Sequence, residues 1–245
     1  MVREKSHYDT ADSSTLPQPM KPIAIFFHGL FFLGDPPRHM PNAGCIISDQ
    51  ITQMINSGLW DAADKIFFGV NGSDESASAA NSIIPQKATV LYHGLQCRNE
   101  NRTVEWLLTW AKKNPGWNVL YQHAKGSSHA PAECYAINVS KPWREAMIQD
   151  LVVNWRQCVA DLDAGHDVAC MVWLWDMGWD KSQHIPAGNF LWLTSDFAAK
   201  LPSLYLRARI KEDGIDAVTS RFESEVAWGN GSRPKVKAYR SRLPF

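Results

Sequence analysis

Neither sign of charge predominates in this chain. Lys plus Arg number 25 and Asp plus Glu number 25 among 245 residues, so the formal net charge is zero. A protein that lives on nucleic acid carries a basic excess, because phosphate contacts dominate that affinity; the neutral balance speaks against it, although a local patch would suffice. Cysteine is scarce and scattered: Cys45, Cys97, Cys134, Cys158 and Cys170 are odd in number and no pair has CxxC spacing. That pattern offers neither a disulfide framework nor a zinc site, and it predicts reduced thiols in the cytoplasm. The apolar run Ile23–Leu33 is interrupted by His28 and Gly29 and is too short to cross a bilayer. Residues 1–20 are polar and lack the charged-then-apolar order of a secretion signal. They read as a flexible tail ahead of one domain, 21–245. The four Asn-x-Ser/Thr triplets, at Asn71, Asn101, Asn138 and Asn230, then count as chance. No GxxxxGK[ST] loop is present, which argues against a P-loop NTPase, and no GxGxxG follows the first apolar run, which argues against a nicotinamide enzyme.

What is present is the alternation of an α/β domain. Ile23–Phe27, Lys65–Val70, Ala88–Tyr92, Asn118–Gln122 and Asp167–Trp173 are short apolar runs suited to strands buried on both faces. Between them lie helical patterns over residues 46–59, over Val104–Lys113 with Thr103 as its cap, and from Ser140 and Pro142 to about Leu162. Further on, the reading is a strand near Phe190–Leu193, short helices at Asp196–Leu201 and Arg221–Trp228, and a last strand near Val236–Tyr239. Such alternation implies a single-domain, Rossmann-like, mostly parallel sheet flanked by helices.

In open parallel sheets, ligands bind beyond the carboxyl ends of the strands. The expected exits are His28-Gly29, Asn71-Gly72, His93-Gly94, His123-Ala-Lys125-Gly126-Ser127 and Trp175-Asp176. Any one polar, glycine-bearing loop is ordinary; four in succession favour a site. The fourth exit is the most chemical. His123 and Lys125 project to the same side of an extended segment, Lys125 is a point charge suited to phosphate oxygens, and Arg144 at a helix start adds a bidentate donor. These residues suggest a diphosphate site; the alternative is a solvated loop lysine and a surface arginine. Among the eleven tryptophans, Trp106, Trp110 and Trp155 sit at helical spacing and are expected in the core, while Trp173, Trp175 and Trp179 suit an acceptor site.

The order Ile25-Phe-Phe-His28, Asn56-Ser-Gly-Leu59, Ala63-Asp-Lys-Ile66, Gly69-Val-Asn-Gly72, Val119-Leu-Tyr-Gln-His123-Ala-Lys125-Gly126, Trp143-Arg144, Gly188-Asn189-Phe-Leu-Trp192, Lys200-Leu-Pro202 and Arg221-Phe-Glu-Ser-Glu225 resembles a bacterial family of glycosyltransferase-like proteins of the GT-A type. It is similar, more distantly, to rhamnan-synthesis-type transferases, and it spans roughly residues 23–230. The resemblance implies transfer of a sugar from a nucleotide-diphosphate donor, such as a UDP-sugar, to a hydroxyl acceptor: a glycan, a lipid-linked group or a modified nucleobase in DNA. It implies donor contacts at His28, Asn71, His93, His123, Lys125, Gly126 and Arg144. Acceptor or sugar contacts fall at Trp175, Asp176, His184 and Asn189, and a base at Glu225, with Glu223 and Asp213 as substitutes. Glu225 pairing with Arg221 along a helix is the plainer alternative. Such transferases often hold manganese or magnesium on an Asp-x-Asp. Here His123-Ala-Lys125 stands in its place, which puts metal dependence in question; Asp161-Leu-Asp163 reads as a solvated helix end, and Asp74-Glu75 is a lesser candidate. A non-catalytic module that binds a nucleotide or glycan is the rival reading.

Overall fold

Five apolar residues in succession, Ile23 to Phe27, have no side meant for water, and all five are fully buried. They open β1 (Ile23–Leu30) of a computed structural model that describes residues 20–30, 32–33, 38–39, 43–71, 74–94, 99–127, 134–177, 183–204, 223–229 and 233–241. After β1 come β2 (Phe32–Leu33), β3 (Arg38–His39), α1 (Ala43–Asn56), α2 (Leu59–Ala62), β4 (Lys65–Asn71), α3 (Asp74–Ile83), β5 (Thr89–Gly94), α4 (Asn101–Ala111) and β6 (Asn118–His123). The second half runs α5 (Cys134–Ile148), a π-helical turn (Gln149–Val153), α6 (Trp155–Asp163), β7 (Val168–Cys170), β8 (Trp173–Met177), β9 (Gln183–Pro186), β10 (Leu191–Thr194), α7 (Ser195–Ala198), α8 (Glu223–Val226) and β11 (Val236–Ala238).

Seven strands form one sheet in the order β11-β7-β10-β6-β1-β4-β5. β10 runs antiparallel to both neighbours; the other pairings in this sheet are parallel. Strand side chains alternate between faces. Ile25 and Phe27 join a core with α1, α5 and α6, whereas Ala24 and Phe26 join a second core with α4, α7 and Trp228. The chain is thus a Rossmann-like α/β domain with helices on both faces of a mostly parallel sheet.

Several boundaries differ from the sequence reading. α4 starts at Asn101, with Glu100 in the cap position; Thr103 is no cap but a buried residue of the helix. The long helix begins at Cys134, encloses Pro142, and breaks into α5 and α6 through the π-helical turn. The fifth run divides. Val168–Cys170 stays in the sheet, but the Met171 and Val172 carbonyls accept from the Arg240 and Ala187 amides, and Trp173–Met177 pairs with β9 in a separate hairpin. Asp161 is not solvated: it is buried and its Oδ2 accepts the Tyr239 hydroxyl at 2.9 Å. Trp155 is buried, and Trp106 and Trp110 pack partly buried against the second core. Burial pushes the Cys158 thiol up to about 12, as suits a reduced core cysteine.

Candidate functional site

β1 and β6 lie side by side in parallel, and their register sets His28 beside His123. Alternation turns both residues, with Tyr121, toward the α4 face, since Tyr121 and Phe26 belong to that core. All three therefore meet the N-terminus of α4 at the carboxyl rim of the sheet. His28 is buried, and its Nδ1 lies 2.8 Å from Thr103 Oγ1 on α4. Glu100, just ahead of that helix, takes the Tyr121 hydroxyl on Oε2 at 2.5 Å, and the same oxygen lies 3.9 Å from His123 Nδ1. The Glu100 side chain is only 12% exposed. Burial pushes its carboxyl up, but His123, His28, the Tyr121 hydroxyl and the Asn189 amide together outweigh burial and hold it below the ordinary carboxylate range.

Because β10 is antiparallel, its start rather than its end reaches this rim. The turn ahead of it delivers Gly188 and Asn189 beside the end of β6, where His123 Nε2 lies 3.0 Å from the Gly188 carbonyl oxygen. Asn189, in the left-handed region at φ 56°, is buried and accepts the Trp228 indole N–H at 2.5 Å. The Trp228 ring in turn packs on Tyr121, centroids 5.2 Å apart.

On the other face, the loop after β6 meets α5. The Lys125 ammonium lies 4.2 Å from the centre of the Trp143 ring, a cation–π contact. Arg144 donates from Nη1 to the Lys125 carbonyl at 2.8 Å, so it braces the loop, and burial lowers its guanidinium from the ordinary value. Gly126 packs against Arg144 and Ser140. Gly188 joins the two faces. Its φ is 88°, and a Cβ there would stand 2.5 Å from Met147 Sδ and 2.9 Å from Trp143 Nε1.

The structure thus gathers His28, His123 and Asn189 into one cluster, with Lys125, Gly126 and Arg144 next to it. His28, His93 and His123 lie within their strands rather than after them: the parallel ladder continues through His28 and His123, and His93 falls at a bulge between Tyr92 and Gly94. Asn71 is the buried last residue of β4, in register with Leu30 and Gly94. Trp175 and Asp176 are within β8 and not at an exit of the main sheet. Trp175 is 45% exposed, and its ring packs on Trp173 and on buried His184 of β9. Glu223 and Glu225 belong to α8, which is tied to α4 by the Ser224 amide donating to Asn101 Oδ1 at 3.1 Å. Asp213, Trp179 and Arg221 lie outside the described residues. Glu100 is not among the expected residues, because it stands just ahead of a helix and not at a strand exit. The signal lay in its position: an acidic residue at a helix N-terminus, where the dipole favours it.

Among the described residues, no three His, Cys, Asp or Glu side chains are grouped to hold a metal ion. A surface cavity of about 560 Å³ lies elsewhere, against the π-helical turn, α6 and Tyr239, and is lined by Asp150, Val153, Asn154, Arg156, Gln157 and Tyr239. None of these side chains belongs to the rim cluster.

No known family model and no curated protein matches the chain. Similar solved structures include Rv0371c from Mycobacterium tuberculosis H37Rv, at 12% identity over 79% of this chain and 85% of that one, with a TM-score of 0.35. A manganese complex of Rv0371c is similar at 13% identity over 74% and 76%, TM-score 0.33. A nucleotidyl transferase from Methanothermobacter thermautotroptrophicus is similar at 11% identity over 89% and 88%, TM-score 0.39. These distant likenesses say nothing of activity or of the site.

Proposed function

We propose that the chain is a nucleotide-dependent transferase that moves a sugar from a nucleotide-diphosphate donor to a hydroxyl acceptor. The observation that carries this reading is the grouping of His123, His28 and the largely buried Glu100 carboxylate at the carboxyl rim of adjacent parallel strands, with Lys125 on the loop that follows His123. An anionic diphosphate fits the Lys125 side of that group: Lys125 supplies positive charge, and Arg144 holds the loop that presents it. Positive charge that faces a leaving diphosphate stabilises it as the bond to the sugar breaks.

A divalent ion fits these residues poorly. Glu100 Oε2 takes the Tyr121 hydroxyl, and His123 Nε2 faces a carbonyl oxygen. The Lys125 charge therefore takes the metal's place in this proposal. In this proposal Asn71 and His93 are assigned to the nucleotide, and Asn189, Trp175, Asp176 and His184 to the sugar and acceptor, with Glu225, Glu223 and Asp213 as candidate bases.

The test is calorimetric titration with a panel of nucleotide sugars, with and without manganese, together with an assay for slow donor hydrolysis. At least one donor is expected to bind without added metal. Lys125→Ala should weaken it by roughly tenfold or more, the worth of one charge-assisted hydrogen bond. Binding without any turnover would leave the non-catalytic module. No binding across the panel, with Lys125→Ala indistinguishable from the parent, would end the transferase reading.

A further inference from the structure

The β8–β9 hairpin stands beyond the carboxyl rim of the sheet, on the side where ligands bind in open α/β sheets. β7 ends at Cys170, paired with Leu191 of β10. The chain runs on through Met171 and Val172 into β8 and returns along β9 to Gly188, beside His123. The hairpin is irregular. Leu174 pairs with Ile185 and Met177 with Gln183, so Trp175 and Asp176 together oppose the single residue His184. A bulge of this kind bends its strand and re-aims the side chains on it. Here one large ring is turned to water: Trp175 is 45% exposed, whereas Trp173 and His184, the two rings it touches, are buried.

Those two rings hold Trp175 in place. Its centroid lies 5.7 Å from that of Trp173 and 5.0 Å from that of His184, at interplanar angles of 60° and 62°, so neither neighbour lies flat over it. His184 is itself fixed, because Gly229 packs so closely on its backbone that a Cβ would collide with the His184 carbonyl oxygen. Trp173 belongs to the core that contains Tyr121 and Trp228. Trp175 therefore stands on the face of the sheet toward which His28 and His123 also turn. A fixed, exposed indole presents an electron-rich face, and the C–H face of a sugar ring is its complement.

We infer that Trp175 is a stacking platform for a sugar ring of the acceptor, which makes the acceptor a neutral saccharide. The role of acceptor rests on the transferase reading; the binding does not. Phosphate-rich DNA fits this hairpin poorly, since the described residues of β8 and β9 include no Lys or Arg and one acid, Asp176. A lipid chain needs a contiguous apolar surface, and Trp175 is the one large apolar side chain exposed among the described hairpin residues.

The test is saturation-transfer NMR on the full chain with a panel of neutral mono- to tetrasaccharides and a short single-stranded DNA, and calorimetry on any that bind. At least one saccharide is expected to receive saturation on the C–H protons of one ring face. Trp175→Ala, a change at the surface, should abolish that pattern and weaken binding roughly tenfold, and Trp175→Phe should recover part of it. A panel that receives no saturation overturns the inference. So does saturation that Trp175→Ala leaves unchanged, or DNA that binds through Trp175 where saccharides do not. No nucleotide is needed: donors that bind beside inert saccharides would end this inference alone, and saccharides that bind at Trp175 beside inert donors would end the transferase reading alone.

Discussion

At the scale of single residues, the site depends on atoms that are missing as much as on those present. Gly188 has no Cβ to collide with Met147 Sδ and Trp143 Nε1, and its φ of 88° is open to glycine at no cost. Gly188→Ala should combine left-handed strain with overpacking and cost about 2–4 kcal/mol, read as a lowered urea midpoint at unchanged slope. An alanine of parental stability there would mean that the turn does not pack as described. The neighbouring Asn189 is a non-glycine residue at φ 56°, a conformation asparagine tolerates better than most. Short motifs of the chain name His28, His123, Lys125 and Asn189, which the fold brings near one another. Glu100 could not be read the same way, because its importance rests on four neighbours, Tyr121, His123, His28 and Asn189, that only folding brings to it.

At the scale of elements, short pieces rely on caps and on what they pack against. α7 is a single four-residue turn, and Thr194 accepts the Phe197 amide on Oγ1 at 3.2 Å. Phe197 and Ala198 carry that turn into the second core. Thr194→Ala should cost about 1 kcal/mol, the usual worth of an N-cap, measured by urea denaturation, with Thr194→Ser recovering most of it. An unchanged stability in the alanine variant would show that packing alone holds α7. The strands were the most legible elements, since continuous apolar runs leave little choice but a sheet buried on both faces. Helix boundaries were less so. Pro142 reads as a helix start, yet α5 encloses it. The division of β7 from β8 was hidden for the same kind of reason: Val168 to Trp173 is apolar throughout, and the break comes from partners on Arg240 and Ala187, far along the chain.

At the scale of the whole molecule, a neutral net charge hides an uneven interior. Glu100 is a buried carboxylate held below its ordinary value, so it binds its proton less readily in the folded state than in the unfolded one. Its stabilising contribution is then complete above the unfolded value, near 4.5, and is lost as pH falls through the lower folded value. The parent should therefore lose stability below about pH 4.5 more steeply than Glu100→Gln, which has no proton to take up there. The comparison is denaturation free energy against pH for the two proteins; parallel curves in the acid range would refute it. The Arg240–Asp150 pair, bidentate at 2.6 and 3.0 Å, is common to both proteins and cancels in this comparison.

The chain's own pattern determined the α/β class, the parallel core strands and the polar character of the strand ends, because burial on two faces and backbone hydrogen bonding act locally and leave a readable period. Tertiary structure alone decided that β10 runs backwards, so that the turn before it meets the end of β6. It also decided that Glu100 comes to rest against Tyr121 and near His123. Pairing direction and register are settled by contacts distant in sequence, and no local pattern of residues encodes them.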